Sequence, residues 1–203
     1  MTLDLQTQPI SRRFEHLLKV VSSDRFLQKE GLGNEVPFFI CPFKVHETND
    51  MQAVQRDLIV QLANKGIQIL PLNLYDICLE LLKERGILEQ ILEKESDLAK
   101  DELLELLQGV LDPEQHLIPA IAQRMAPAEF DVLFLSGAGE VFPYIRTHNV
   151  LNNLQSTAKD QPTLLFFPGE YTHSLEDGAS LDLFGKLRDD KYYRAFNIYH
   201  CEA

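Results

Sequence analysis

Three short runs in this chain are apolar at successive positions rather than at alternate ones: VPFFICPF from Val36, VLFL from Val132 and TLLFF from Thr163. A strand with one face in water alternates apolar and polar side chains, so a strand that does not alternate must be covered on both faces. The runs are separated by stretches with helical periodicity. HETNDMQAVQRDLIVQLANKG follows the first, with Met51, Val54 and Leu58 on one face and Gly66 as a stop. IQILPLNL supplies a second short strand, and Tyr75, Cys78, Leu79 and Leu82 continue as helix. YIRTHNVLNNLQSTAK follows VLFL, with Thr147, Val150, Leu151 and Leu154 on one side. Strands alternating with helices require crossover connections, which build a parallel sheet between two helical layers.

The expected fold is therefore a three-layer α/β/α sandwich of about five mostly parallel strands, Rossmann-like or P-loop-like. A first helix is expected from Ser11 to Glu30, with Phe14, Leu17, Leu18 and Val21 as its stripe and Gly31 and Gly33 ending it. Pro168-Gly169 is expected to end the fourth strand in a turn. Thr172 to Lys191 reads as a polar, turn-rich segment, and Tyr192 to His200 as a fifth, alternating strand, with Tyr192, Tyr193 and Tyr199 as its core and rim aromatics. Residues 1–203 are read as one α/β domain, of which about 74–126 form a helical excursion. That excursion carries twelve Asp and Glu against five Lys and Arg.

The whole chain has 31 acidic against 19 basic residues, a net charge of −12, with no clustered basic patch. Such a surface repels nucleic acid, so direct binding to it is not expected. The N-terminus lacks the layout of a signal peptide, and no apolar segment reaches the roughly 18 residues of a membrane span. Cys41, Cys78 and Cys201 are scattered and odd in number; Cys41 in an apolar run and Cys78 on an apolar helix face read as buried thiols in a reducing, cytoplasmic setting.

In open α/β sheets ligands bind beyond the C-terminal ends of the strands. After the first strand comes Pro42-Phe43-Lys44-Val45-His46-Glu47. It lacks the glycines, and the Lys-Ser/Thr pair, with which a Walker A loop wraps phosphates. After the third, Ser136-Gly137-Ala138-Gly139-Glu140 offers Gly137 and Gly139 as weak anion-loop candidates, but Phe142 stands where G-x-G-x-x-G needs glycine. Ser136 is not in a G-x-S-x-G elbow, since Phe134 precedes it by two. After the fourth strand, Glu170 could act as a base or ligand and Tyr171 beside it could form a docking rim. Histidines 16, 46, 116, 148, 173 and 200 show no metal spacing. No catalytic residue, metal or cofactor is assigned.

The segments DVLFLSGAGEVFPYIRTHNVLNNL and LLFFPGEY, with YYRAFNIYH at the end, resemble the BrxB family of BREX (bacteriophage exclusion) systems. The resemblance implies a small member of a multi-protein apparatus that includes an adenine-specific DNA methyltransferase, a large ATPase and the phosphatase-like PglZ. It implies association with a PglZ-like partner, support of host DNA methylation and phage exclusion, and no catalytic activity of its own. Glu140, Phe142, Arg146, Glu170 and Tyr171 are the candidate partner-binding residues. The competing expectation is a degenerate nucleotide-binding or phosphoester-handling enzyme using Gly137, Gly139, Glu140 and Glu170. A homodimer stays open, because apolar helix faces serve a monomer's core equally well.

Overall fold

The computed structural model describes residues 5–30, 36–174, 178–189 and 195–203. The expectations on Gly31, Gly33, Tyr192 and Tyr193 lie outside them. The five parallel strands are β1 (Phe38–Phe43), β2 (Ile69–Asn73), β3 (Val132–Ser136), the first half of β4 (Thr163–Ser174) and β7 (Phe196–Asn197). Their spatial order is β2-β3-β4-β1-β7. β1 lies parallel to β4 from the Phe38–Thr163 pair to the Phe43–Pro168 pair, and to β7 through Phe39 and Ile40.

Alternate side chains of these strands enter two different cores, which is why the runs are apolar throughout. Phe39, Cys41, Phe43, Val132, Phe134, Leu164 and Phe166 face a layer formed by α1 (Ile10–Val21), α2 (Asp24–Leu27) and α3 (Thr48–Asn64). Phe38, Ile40, Leu133, Leu135, Leu165 and Phe167 face the opposite layer. That layer holds α4 (Leu74–Glu84), α5 (Leu88–Lys94), α6 (Lys100–Val110), α7 (Ile118–Met125) and α8 (Thr147–Leu154). The three-layer sandwich expected from the runs is the fold observed. Each fully enclosed Leu, Ile or Phe contributes about 1.5–3 kcal/mol, so these two sheet faces supply most of the apolar stabilisation.

Three local expectations are corrected. The first helix stops at Val21, because Ser23 accepts the Phe26 N–H and starts a separate turn that seats Phe26 4.5 Å from the Phe39 ring. Its buried stripe is Arg13, Leu17, Val20 and Val21, leaving Phe14 and Leu18 only half-buried. The last strand is short, and Ile198–His200 turn as a 3-10 helix instead.

The third correction concerns β4, which does not end at Pro168. It passes beyond β1 and β3 and exchanges parallel neighbours for an antiparallel one, β5 (Gly178–Leu183), which pairs in turn with β6 (Leu187–Asp189). Pro168 has no N–H to donate, but its carbonyl accepts from Phe184 N at 2.8 Å and opens the new ladder. Gly169 is there for space rather than for a turn. A Cβ on it would stand 2.3 Å from the Asp182 carbonyl oxygen and 2.7 Å from the Phe167 ring. No helix of the described residues is long and apolar enough to cross a membrane.

Candidate functional site

The connection after β1 leaves over one face of the sheet through α3, whereas the β5–β6 hairpin that follows the adjacent β4 packs Leu181 and Leu183 into the other core. Loops leaving adjacent strands in opposite directions open a crevice above the strand ends. A cleft of about 210 Å³ lies there. Phe43, Phe166, Pro168 and Phe184 give it apolar walls. Thr48, Gln52 and Gln55, spaced i, i+4, i+7 on α3, give it a polar side. Asn73, Ser136 and the loop from Gly137 to Glu140 close it opposite. Among the described residues lining it, Glu140 is the only charged one.

Two features hold this geometry. Asn73 caps α4, accepting from Tyr75 N at 2.8 Å and Asp76 N at 3.3 Å. Gly137 turns the chain against that cap at φ +83°, and a Cβ on it would stand 2.4 Å from Asn73 Oδ1. The opposite wall turns at Phe184 and Gly185, both at positive φ (58° and 67°), and Lys186 N closes the turn onto Leu183 O at 3.2 Å. An aromatic residue in the left-handed region costs about 1–2 kcal/mol, and such outliers persist only where the surroundings enforce them. Phe184 is gripped by Phe142, edge-on at 6.2 Å, and by the close passage of Gly139, where a Cβ would meet its ring at 2.9 Å.

The loop after β1, where a phosphate-binding protein presents free amides, is filled by the chain's own carboxylate. Lys44 N donates to Glu47 Oε2 at 2.9 Å, and a 3-10 turn over Val45–Glu47 runs directly into α3. Arg13, fully enclosed, donates from Nη1 to both Glu47 oxygens at 2.9 and 3.0 Å and from Nε to the Tyr199 hydroxyl at 3.0 Å. Tyr199 also lies 3.3 Å from Cys41 Sγ. Burial works against charge on both members of the ion pair. Their mutual hydrogen bonds, with Tyr199 for Arg13 and the Lys44 amide for Glu47, outweigh it, raising the guanidinium pKa and lowering the carboxyl pKa. A second hollow, about 270 Å³, lies beside Phe39 and the C-terminal residues, away from the strand ends.

Of the residues singled out in the sequence, Gly137, Gly139 and Glu140 line the cleft. Phe142 and Arg146 stand next to it, the guanidinium 5.6 Å over the ring, in a smaller dip with Leu181, Leu183 and Leu187. Glu170 is exposed on the extended β4, opposite Asp182 in register. Tyr171 is corrected from rim to core: it is 6% exposed, and its hydroxyl donates to Ala195 O at 2.6 Å. Sequence reasoning missed Phe184, the Thr48/Gln52/Gln55 stripe and the Arg13–Glu47 pair. The alternation Leu181-Asp182-Leu183 before Gly185 was a hairpin signal, and Arg13 shares the i, i+4, i+7 stripe of Leu17 and Val20.

A family model described as BREX protein BrxB matches residues 70–198, a span that includes the Gly137–Glu140 loop, Arg146 and Glu170. A BREX protein BrxB of Bacillus cereus (strain H3081.97) is 32% identical over 197 residues, covering 93% of this chain and 97% of that one. A BREX protein BrxB of Escherichia coli O9:H4 (strain HS) is 28% identical over 186 residues, covering 92% and 90%. No solved structure matches the chain significantly.

Proposed function

The chain belongs to the BrxB family of BREX phage-defence components, and from that premise we propose that it acts there without catalysis, docking a PglZ-like partner through its strand-end edge. In the bacterial cytoplasm that contact would support host DNA methylation and phage exclusion. The observation that carries this reading is the strand-end edge itself, where the Glu47 carboxylate already takes the Lys44 amide and the Arg13 guanidinium that an anionic substrate would need. What is left open is a small cleft with aromatic walls and Glu140 exposed in its lining, with Arg146 exposed in a separate dip and Glu170 exposed on β4. Such a surface suits recognition of another protein, in which a few central contacts carry most of the affinity.

Tagged protein expressed with the rest of its BREX system, purified at physiological salt, is expected to bring down the PglZ-like protein. Glu170→Arg should lower that recovery without changing the unfolding temperature, and host methylation and phage plating should shift together with it. Recovery of the tagged protein alone, in cells whose methylation and phage exclusion still depend on it, would sink the reading. The position of the cleft, at the reversal of strand order, favours one competitor, a degenerate nucleotide-binding or phosphoester-handling enzyme using Gly137, Gly139, Glu140 and Glu170. A panel of nucleotides and divalent metals decides it: a thermal shift supports the enzyme, and none retires it.

A further inference from the structure

The geometry points to the occupant of the strand-end cleft: a long cationic side chain, arginine or lysine, presented by a protein partner. The inference rests on the docking reading above and adds the chemistry of the contact.

Charge comes first. Among the described residues Glu140 is the only ionisable group in the lining and is exposed, while Lys44 and Lys186 are exposed close by in the chain without lining it. The carboxylate of Glu140 favours a cation here, as does a chain of net charge −12, against the pull of the α3 N-terminus at Thr48 toward anions. The polar side is neutral and can accept: Gln52 and Gln55 carry amide oxygens beside their N–H groups, Ser136 a hydroxyl, and Thr48 Oγ1, which donates to Val45 O at 2.6 Å, keeps its lone pairs free. A guanidinium carries five donors and no acceptor, which complements such a lining.

Shape agrees with charge. Phe43, Phe166, Pro168 and Phe184 offer apolar surface for the methylene stem and ring faces for the charged head. At about 210 Å³ the cleft is smaller than the roughly 300–1,000 Å³ of small-molecule sites. It holds one side chain more readily than a nucleotide. The Phe184 wall is fixed by a backbone conformation that aromatic residues avoid. Such a wall is pre-organised, so little ordering has to occur on binding. A second copy of this chain as the occupant would set −12 against −12, so the partner is a different and locally basic protein.

The test has two arms. In the first, isotope-labelled protein is titrated with N-acetyl-arginine methylamide and with its citrulline counterpart, which keeps the shape and loses the charge. Saturable shifts at Thr48, Gln52, Gln55 and Gly137–Glu140 are expected with the arginine compound. They should be about fivefold weaker with citrulline, and Glu140→Gln should erase the difference. Equal responses to the two compounds, or none in the cleft, overturn the inference. In the second arm, the purified assembly carrying Glu140→Lys is expected to retain roughly tenfold less partner, at an unchanged unfolding temperature. Arginine binding alongside full retention by Glu140→Lys would assign the cleft to a free ligand and overturn the protein-borne occupant. If the wild-type chain retains no partner at all, the docking reading fails first and the inference falls with it.

Discussion

Arg13 and Glu47 form a pair with unequal surroundings, and their substitutions should be unequal too. Arg13 is wholly enclosed, whereas the Glu47 side chain keeps 19% of its surface in solvent. Glu47→Ala leaves a buried guanidinium unpaired and should cost about 3–5 kcal/mol. Arg13→Met replaces the charge with apolar volume and leaves a carboxylate that can reach water, so urea unfolding should show it as the milder change. The carboxyl of Glu47 is held below the usual range: burial opposes its charge, but Arg13 and the Lys44 amide prevail. A lowered folded pKa contributes stability that is complete above the unfolded value of about 4.3 and is lost as pH falls through the folded value. Arg13→Met should therefore flatten the acid limb of a stability–pH curve below about pH 4.3. The thiols allow a separate check. Burial pushes Cys41 and Cys78 up to about 12 and Cys201 to about 11, and only Cys201 is not fully buried. A thiol reagent at pH 8 should label Cys201 slowly, and Cys41 and Cys78 only after unfolding; rapid labelling of Cys41 in native protein would contradict its enclosure.

At the scale of elements, β4 joins two kinds of sheet, and Gly169 is where they meet. Gly169→Ala drives a methyl into the Asp182 backbone, which cannot swing aside as a side chain would. It should destabilise by about 1–3 kcal/mol, read from thermal unfolding. Hydrogen exchange should also step at Pro168. Leu164 and Leu165, paired with both β1 and β3, should exchange only on global opening, whereas amides on the hairpin side should exchange earlier. Equal protection on both sides would contradict the division. The first half of β4 was legible because an unbroken apolar run admits no exposed face. Its second half was not, because Pro-Gly reads equally well as a turn that leaves the strand. The parity was nonetheless in the chain: Phe167, Gly169 and Tyr171 share one face and Glu170 the other, so a continuing strand buries Tyr171 and exposes Glu170. The α8 stripe of Thr147, Val150, Leu151 and Leu154 is buried as its periodicity requires. Phe184 and Arg13 were out of reach because each breaks a local rule, an aromatic at positive φ and an arginine in a core. Only tertiary partners, Phe142 and Gly139 for one and Glu47 and Tyr199 for the other, make those choices tolerable.

For the whole molecule, charge and shape act on different stages of an encounter. The net charge of −12 is spread, with Glu89, Glu93, Glu102 and Glu105 exposed on α5 and α6, and such a field reaches about 10 Å at 0.1 M salt but only about 3 Å at 1 M. It can steer a basic partner toward the chain, but it cannot hold the partner once screened. The cleft is local, aromatic-walled and partly desolvated, so its contacts resist salt and set how long a complex lasts. The two contributions should separate in kinetics. Changing the four glutamates of α5 and α6 to glutamine should lower the association rate with the partner and its salt dependence, and leave dissociation nearly unchanged. Phe184→Gly, which removes the aromatic wall and relieves the left-handed backbone, should instead speed dissociation and leave the salt slope of association as it was. Surface-immobilised partner, measured across salt concentrations, distinguishes the two. An association rate indifferent to salt would show that the acidic helices do no steering, and a Phe184→Gly complex as long-lived as wild type would place the lasting contacts away from the strand ends.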